Sequence, residues 1–367
     1  MFAKYRDLAV PGHAYGKYRR DPLMLLMTLG YDALAWVDKF TTVPQIPDSA
    51  DGFIDVVVEG GRALSADGTV LSLAFTRPDG ASLPAWSAGA HIDVKLPSGL
   101  MRQYSLCGDP ADLSQYRIAV RRVTDSRGGS TEIHNGLRAG AELRISLPRN
   151  AFPLAVGGYN QRTTEIRLIA GGIGITPILP MLRVLDQVAI PWSFIYTGRD
   201  RNSMAFLDEL ERYGDRVTVY CDDDATGPPT PQALLGELAV GAAVYTCGPP
   251  PMIAALRTVL ADRRDVEFHY ERFSAAPVVD GQEFEIELSS TSEVITVAAD
   301  QTALAAILDI RPDATYSCQQ GFCRSCVVRV LDGVPEHRST SLSPSEVEAG
   351  YFLPCVSRAH GRLSLDM

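Results

Sequence analysis

The chain has 367 residues, 46% of them hydrophobic and 21% charged, and carries a formal net charge of −10. That is the balance of an ordinary globular chain, long enough for two or three domains that each bury a core. It argues against disorder throughout, a collagen-like repeat or an integral membrane bundle, and the excess of carboxylates argues against nucleic acid as a partner.

Residues 1–50 stand apart. The first twenty hold five cations against Asp7 alone, Asp21 and Pro22 suit the start of a helix running to about Lys39, and Thr41–Asp51 reads as an extended linker. No cleavable leader is visible. The longest apolar stretch, Leu23–Val37, contains Asp32 and is shorter than the roughly 20 residues that cross a bilayer. The expectation is a cytoplasmic protein with no transmembrane segment.

From residue 51 to 157 the pattern is short strands: Phe53–Val58, Val70–Thr76, His91–Leu96, Gln103–Leu106, Tyr116–Arg122 and Glu142–Leu147, with one helix at Thr131–Leu137. Gly, Pro and Asp separate them, as in a small antiparallel β-barrel. From 158 to 275 strands alternate with helices. Strands are expected at Ile166–Ala170, Trp192–Tyr196, Val217–Tyr220 and Ala243–Cys247, and helices at Pro177–Val188, Met204–Tyr213, Pro231–Leu238 and Pro250–Ala261. This is the signature of a parallel sheet with crossover helices, an α/β nucleotide domain. After a linker at Ala275–Gly281, residues 281–367 form an α+β module holding twelve carboxylates against six arginines. In it, Phe284, Ile286 and Leu288 alternate with Glu283, Glu285 and Glu287, Glu293–Val297 can pair with that strand, and Thr302–Asp309 is a short helix.

Three sets of residues carry chemistry. Of seven cysteines, Cys107, Cys221 and Cys247 are scattered, but Cys318, Cys323 and Cys326 share one loop with C-x4-C-x2-C spacing and Cys355 follows after 28 intervening residues. That is the plant-type [2Fe–2S] pattern, with Gly321 turning the loop; a zinc site would more often use paired C-x2-C knuckles, and free structural cysteines are the remaining alternative. Arg102-Gln103-Tyr104-Ser105 ends a strand and offers a flavin a cation for its phosphate, an aromatic face and a hydroxyl near N5. Gly128-Gly129-Ser130 before a short helix adds an anion site, with Ser130 as a possible cap; an ordinary turn is the competing reading.

Gly171-Gly172-Ile173-Gly174-Ile175-Thr176-Pro177 and Cys247-Gly248-Pro249 each join a strand end to a helix. They lack the full G-x-G-x-x-G fingerprint, yet two small-residue turns at strand C-termini mark a nucleotide crevice. Arg199-Asp200-Arg201 follows the second strand. Asp200 suits the ribose hydroxyls of NADH, Arg199 or Arg201 the extra phosphate of NADPH, and the residues leave both open.

Together with Ser126-Arg127, Pro148-Arg149-Asn150, Glu271-Arg272-Phe273 and Cys355–Ala359, these motifs resemble, over about residues 53–367, the phthalate dioxygenase reductase and vanillate demethylase reductase family. The resemblance implies a flavin, then a nicotinamide, then a β-grasp ferredoxin domain, with FMN rather than FAD and NADH as donor. By position it puts Arg102, Tyr104, Ser105 and Gly128–Ser130 on FMN, Thr176 and Cys247 near the nicotinamide, and Phe273 over the flavin ring. It implies electron delivery to a terminal oxygenase, whether Rieske, haem or another type. The alternatives are an electron-transfer subunit of a dehydrogenase, another flavoprotein NADH:acceptor reductase, or a redox-sensing scaffold. Arg324 stands where relatives usually have Gly, which adds a positive charge to the cysteine loop, and residues 1–50 match no recognised counterpart. Oligomeric state is left open.

Overall fold

The computed structural model describes residues 52–123, 128–156, 163–224, 227–275, 277–316, 318–321, 323–339 and 341–367, all within one compact unit, Ser49–Met367. The expected N-terminal helix and Ser126-Arg127 lie outside the described residues.

The first sheet comprises β1 (Phe53–Ala63), β2 (Val70–Thr76), β3 (Ala90–Lys95), β4 (Met101–Ser105), β5 (Tyr116–Arg121), β6 (Glu142–Ser146) and β7 (Arg149–Asn150), and the helix α1 (Gly129–Gly136) falls between β5 and β6. Their order is β4-β3-β6-β1-β2-β5, all antiparallel, with β7 on β3. A bridge between Leu106 and Ile118 brings the two end strands together, so the sheet curls into the expected barrel. Alternate residues of these strands, Ile54, Val56 and Val58, Ile92 and Val94, and Ile118 and Val120, pack together in its interior.

The second sheet comprises β8 (Ile166–Gly171), β9 (Trp192–Gly198), β10 (Val217–Cys221), β11 (Ala243–Cys247) and β12 (Glu267–Glu271), wholly parallel and ordered β10-β9-β8-β11-β12. Every residue of β11 is buried, as a strand covered on both faces requires. Helices α2 (Ile175–Leu185), α3 (Leu207–Leu210), α4 (Pro231–Leu235) and α5 (Pro250–Leu260) connect it. Two expected helices are shorter than their residues suggest. Over Met204–Tyr213 only α3 is α-helical, because the Tyr196 hydroxyl accepts from the Ala205 N–H at 3.2 Å and Phe206 turns left-handed at φ 66°. A 3-10 segment follows, broken at Gly214. Over Pro231–Leu238 the helix stops after Leu235, where Gly236 takes φ 59°. Strand β12, absent from the sequence expectation, adds a fifth member at the edge.

The third sheet, β13 (Phe284–Leu288), β14 (Glu293–Val297), β15 (Val328–Glu336), β16 (Tyr351–Phe352) and β17 (Arg358–Asp366), is ordered β14-β13-β17-β15-β16, with β13 and β17 parallel and the other pairs antiparallel. With α6 (Ala303–Ile310), capped by the Thr302 hydroxyl, and α7 (Pro344–Glu348), this is the expected β-grasp arrangement. Arg358, only 2% exposed, donates to the carbonyls of Gln282, Ala298 and Gln301 at 2.6–3.0 Å. Arg338 donates to those of Val279 and Asp280, so two arginines fasten the chain leading into β13. Among the described residues no helix is long and apolar enough to cross a membrane.

The barrel and the parallel sheet share an apolar core through Ala88, Cys107, Ala119 and Phe152. Glu209 adds an ionic clamp, accepting from Arg117 of β5 at 2.5 Å and from Arg183 of α2 at 2.8 Å. Arg117 also lies over the Phe206 ring, 4.9 Å from its centroid. All three charged side chains are partly exposed, so each pair contributes about 0.2–1 kcal/mol. Glu209→Ala should lower the thermal midpoint at low salt, and the deficit should shrink at high ionic strength as screening erases what the pairs contributed.

Candidate functional site

The parallel sheet reverses its strand order between β8 and β11, the place where open α/β sheets bind ligands. Both predicted turns sit there and press together. A Cβ on Gly174 would lie 2.3 Å from the Cys247 carbonyl oxygen, one on Gly171 2.5 Å from Pro249, and one on Gly248 2.9 Å from the Gly171 nitrogen. Only glycine lets the two backbones approach this closely. Gly172 takes φ 54°, and Thr176, 2% exposed, donates its hydroxyl to the Ile173 carbonyl. Farther along the same edge Asp200 follows β9 and accepts from the Asn202 backbone N–H, while Arg199 is exposed.

A cleft of about 370 Å³ opens beside these turns, within the usual size of small-molecule sites. Its barrel wall carries Arg102, Gln103, Tyr104, Ser105, Gly129 and Ser130; Ile173 and Thr176 line it from the parallel sheet; Glu271, Arg272 and Phe273 follow from β12; and Tyr316, Cys318 and Gln319 reach it from the cysteine loop. Arg102 lies across the start of α1. A Cβ on Gly129 would meet its Nε at 2.6 Å, so the glycine is what lets the guanidinium rest against the helix N-terminus. The helix cap is Gly128, at φ 82°, and not Ser130, which sits inside the first turn and accepts from the Val123 N–H at 3.2 Å. A cation, a glycine-lined helix start, an aromatic ring and a buried hydroxyl thus occupy one wall, the donor set a flavin phosphate and ring demand.

Two buried groups of this cleft were given no role of their own from the sequence, Glu271 entering only as part of the Glu271-Arg272-Phe273 motif. Glu271 is paired in register with Cys247, is 8% exposed, and its Oε2 has no hydrogen-bond partner. Burial raises its pKa to about 8. His91, opposite Ser105 on β3, is 3% exposed with neither ring nitrogen bonded, and burial, helped by Arg149, lowers it to about 4, so it is neutral. Each reaches the cleft by strand register, which no local spacing reports. Cys247 is wholly buried and its thiol pKa is pushed well up, so it is a small packed side chain and not a nucleophile. Phe273 is 46% exposed at the cleft mouth.

The cysteine loop supplies two thiol pairs. Cys318 neighbours Cys323, and Cys326 neighbours Cys355, all four as free thiols. Among the described residues no three ligating groups converge as a single ion needs; two pairs fit two irons joined by sulfides. The N–H groups of Cys318 and Ser325 donate to the Cys323 sulfur at 3.4 and 3.5 Å, and that of Gln320 to Cys318 at 3.3 Å. The neighbouring Cys318, together with the donors from Ser325, lowers the Cys323 pKa against the opposing effect of burial. Gly321 turns the loop at φ 82°, and its carbonyl accepts from Ser339 and Ser341. Arg324 adopts φ 65° and pairs with Glu346, so the charge it adds to the loop has a local partner.

Comparison with known proteins agrees with this arrangement. The family described as 2Fe-2S iron-sulfur cluster binding domain matches residues 286–360, and that described as oxidoreductase NAD-binding domain matches 168–258. The chain is similar to the vanillate O-demethylase oxidoreductase of Pseudomonas sp. (strain HR199 / DSM 7063), 38% identical over 86% of this chain and 100% of that protein. Among solved structures it is similar to phthalate dioxygenase reductase, described as a modular structure for electron transfer from pyridine nucleotides to [2Fe-2S], at 30% identity, 87% and 99% coverage and a TM-score of 0.65. It also resembles an intact type IV self-sufficient cytochrome P450 monooxygenase at 36% identity and a TM-score of 0.63, covering 86% of this chain but only 41% of that one.

Glu271 gives a test of the cleft's polarity. With a folded pKa near 8, above the ordinary value of 4.5, the folded protein binds the extra proton between these limits, so stability is full below about pH 4.5 and falls as pH rises through 8. Thermal melts of Glu271→Gln should gain on the unaltered protein as pH is raised from 5 to 8, and the gap should level off above that.

Proposed function

The chain belongs to the phthalate dioxygenase reductase and vanillate demethylase reductase family of NAD-dependent [2Fe–2S] oxidoreductases, and from that premise we propose that it passes electrons from NADH, through FMN in the shared cleft, to the cluster and on to a terminal oxygenase. The observation that carries this reading is that one cleft is lined at once by the barrel's Arg102–Ser105 strand, by Thr176 of the nucleotide turn and by Cys318 of the cysteine loop. A bound flavin supplies the conversion between a two-electron donor and a one-electron acceptor.

The chain's own residues hold and orient. Arg102, with Gly128, Gly129 and Ser130 at the start of α1, takes the flavin phosphate. Tyr104, Gln103 and Ser105 would lie along the ring, with the Ser105 hydroxyl available to N5, and Phe273 at the cleft mouth would cover the ring. Gly172, Thr176, Gly248 and Pro249 form the floor on which the nicotinamide would lie, with Cys247 packed beneath it. Asp200 receives the ribose hydroxyls, which favours NADH over NADPH, with Arg199 beside it. Cys318 and Cys323 hold one iron, Cys326 and Cys355 the other. No general base or nucleophile is needed; the contribution is orientation. The three cysteines outside the cluster loop, Cys107, Cys221 and Cys247, are free thiols, which supports a reducing, cytoplasmic setting. The relatives named above are a vanillate O-demethylase oxidoreductase, a phthalate dioxygenase reductase and a self-sufficient P450 monooxygenase, names that support an oxygen-activating acceptor.

Two variants test the two halves. Cys326→Ser should still bleach its flavin with NADH, while reduction of a one-electron acceptor should fall to background; unchanged acceptor reduction would refute the path. Gly129→Ala forces Arg102 away from the helix start at a cost of about 1–3 kcal/mol, so FMN should bind about 5- to 100-fold more weakly by fluorescence titration, with cluster content unchanged.

A further inference from the structure

Gln320 lies two residues past Cys318 in the cysteine loop. Its backbone N–H donates to the Cys318 sulfur at 3.3 Å. Its side-chain Nε2 donates to the Arg272 carbonyl at 2.7 Å, and its Oε1 accepts from Arg272 Nε at 3.5 Å. Arg272 sits between Glu271 and Phe273, and all three line the cleft. One residue therefore grips a cluster ligand with its backbone and the cleft's edge with its side chain. A second tie runs parallel to it, from Arg102 Nη1 to the Tyr316 hydroxyl at 3.3 Å.

We propose that Gln320 is a positioning residue for the one-electron step, holding the cluster loop at the mouth of the flavin cleft. This rests on the relay described under the proposed function. NADH yields NAD⁺, one proton and two electrons, and the electrons cross singly, each reducing one ferric iron to ferrous before passing to the acceptor. Electronic coupling decays exponentially with the gap, so a loop released from Arg272 slows this crossing without touching the hydride step. A purely structural role would slow both steps or deplete the cluster.

The test is anaerobic rapid mixing of the holoenzyme with NADH, following flavin and cluster bleaching separately and normalising to cluster content. In Gln320→Leu, which keeps the volume and loses both side-chain bonds, flavin should bleach at the original rate. Cluster bleaching should slow by about tenfold or more, the scale on which small misplacements act, with the cluster's potential and paramagnetic signal unaltered. Gln320→Glu keeps the acceptor toward Arg272 and loses the donor, and should fall between. If Gln320→Leu does not retain its cluster, Gln320→Glu alone decides, by the same separation of the two rates. Cluster bleaching at the original rate, or equal slowing of both phases, would overturn the proposal. An unaltered protein in which NADH bleaches neither centre would instead remove the relay, and the role of Gln320 with it.

Discussion

Two backbone turns touch at the C-terminal ends of β8 and β11 with no side chain between them, and the geometry of the cleft depends on that contact. A methyl group on Gly174 or Gly171 would meet backbone or Pro249 well inside van der Waals distance, and the turns would part. Their closeness sets the floor on which Thr176 stands and brings Cys247 into line with Glu271 on the neighbouring strand. Because β12 runs directly from Glu271 into Arg272 and Phe273, the same contact fixes where the nucleotide side of the molecule meets the cysteine loop.

Around that floor the parts are held by different forces. Barrel and parallel sheet are joined mainly by apolar packing, through Phe152 against Tyr245 at 5.8 Å between rings and through the wholly buried Cys107; the Glu209 clamp adds a small, salt-sensitive increment. The cysteine loop meets the cleft through polar contacts, Gln320 on Arg272 and Tyr316 on Arg102. A polar seam of a few hydrogen bonds, each contributing about 1 kcal/mol, is weaker than the packed core and sits where an electron has to cross.

The sequence was most readable where chemistry demands local spacing. Three cysteines on one loop, the strand end Arg102–Ser105 and the two glycine turns each carry their function within a few residues. The fold was readable where a strand alternates cleanly or is apolar throughout, as in β1 and β11. It was unreadable where distant contacts overrule local preference: Met204–Tyr213 has helical composition, yet the Tyr196 hydroxyl and the left-handed Phe206 hold its first part extended. Strand β12 escaped because Glu267, His269 and Glu271 interrupt its apolar residues at a sheet edge. His91 and Tyr316 enter the cleft, and Gln320 reaches Arg272 at its edge, through register and through loops far apart in the chain, so no window of neighbours announces them.

Between Phe273 and β13 the chain is short, and its last part is stapled by Arg338 and Arg358 through three main-chain carbonyl oxygens, those of Val279, Asp280 and Gln282. A tether shortened in this way limits how far its cargo can wander. Donor and relay then live at a fixed effective molarity, and the internal hop is first order, indifferent to how dilute the protein becomes. Only the final encounter, with a separate molecule that takes the electron away, feels concentration and salt.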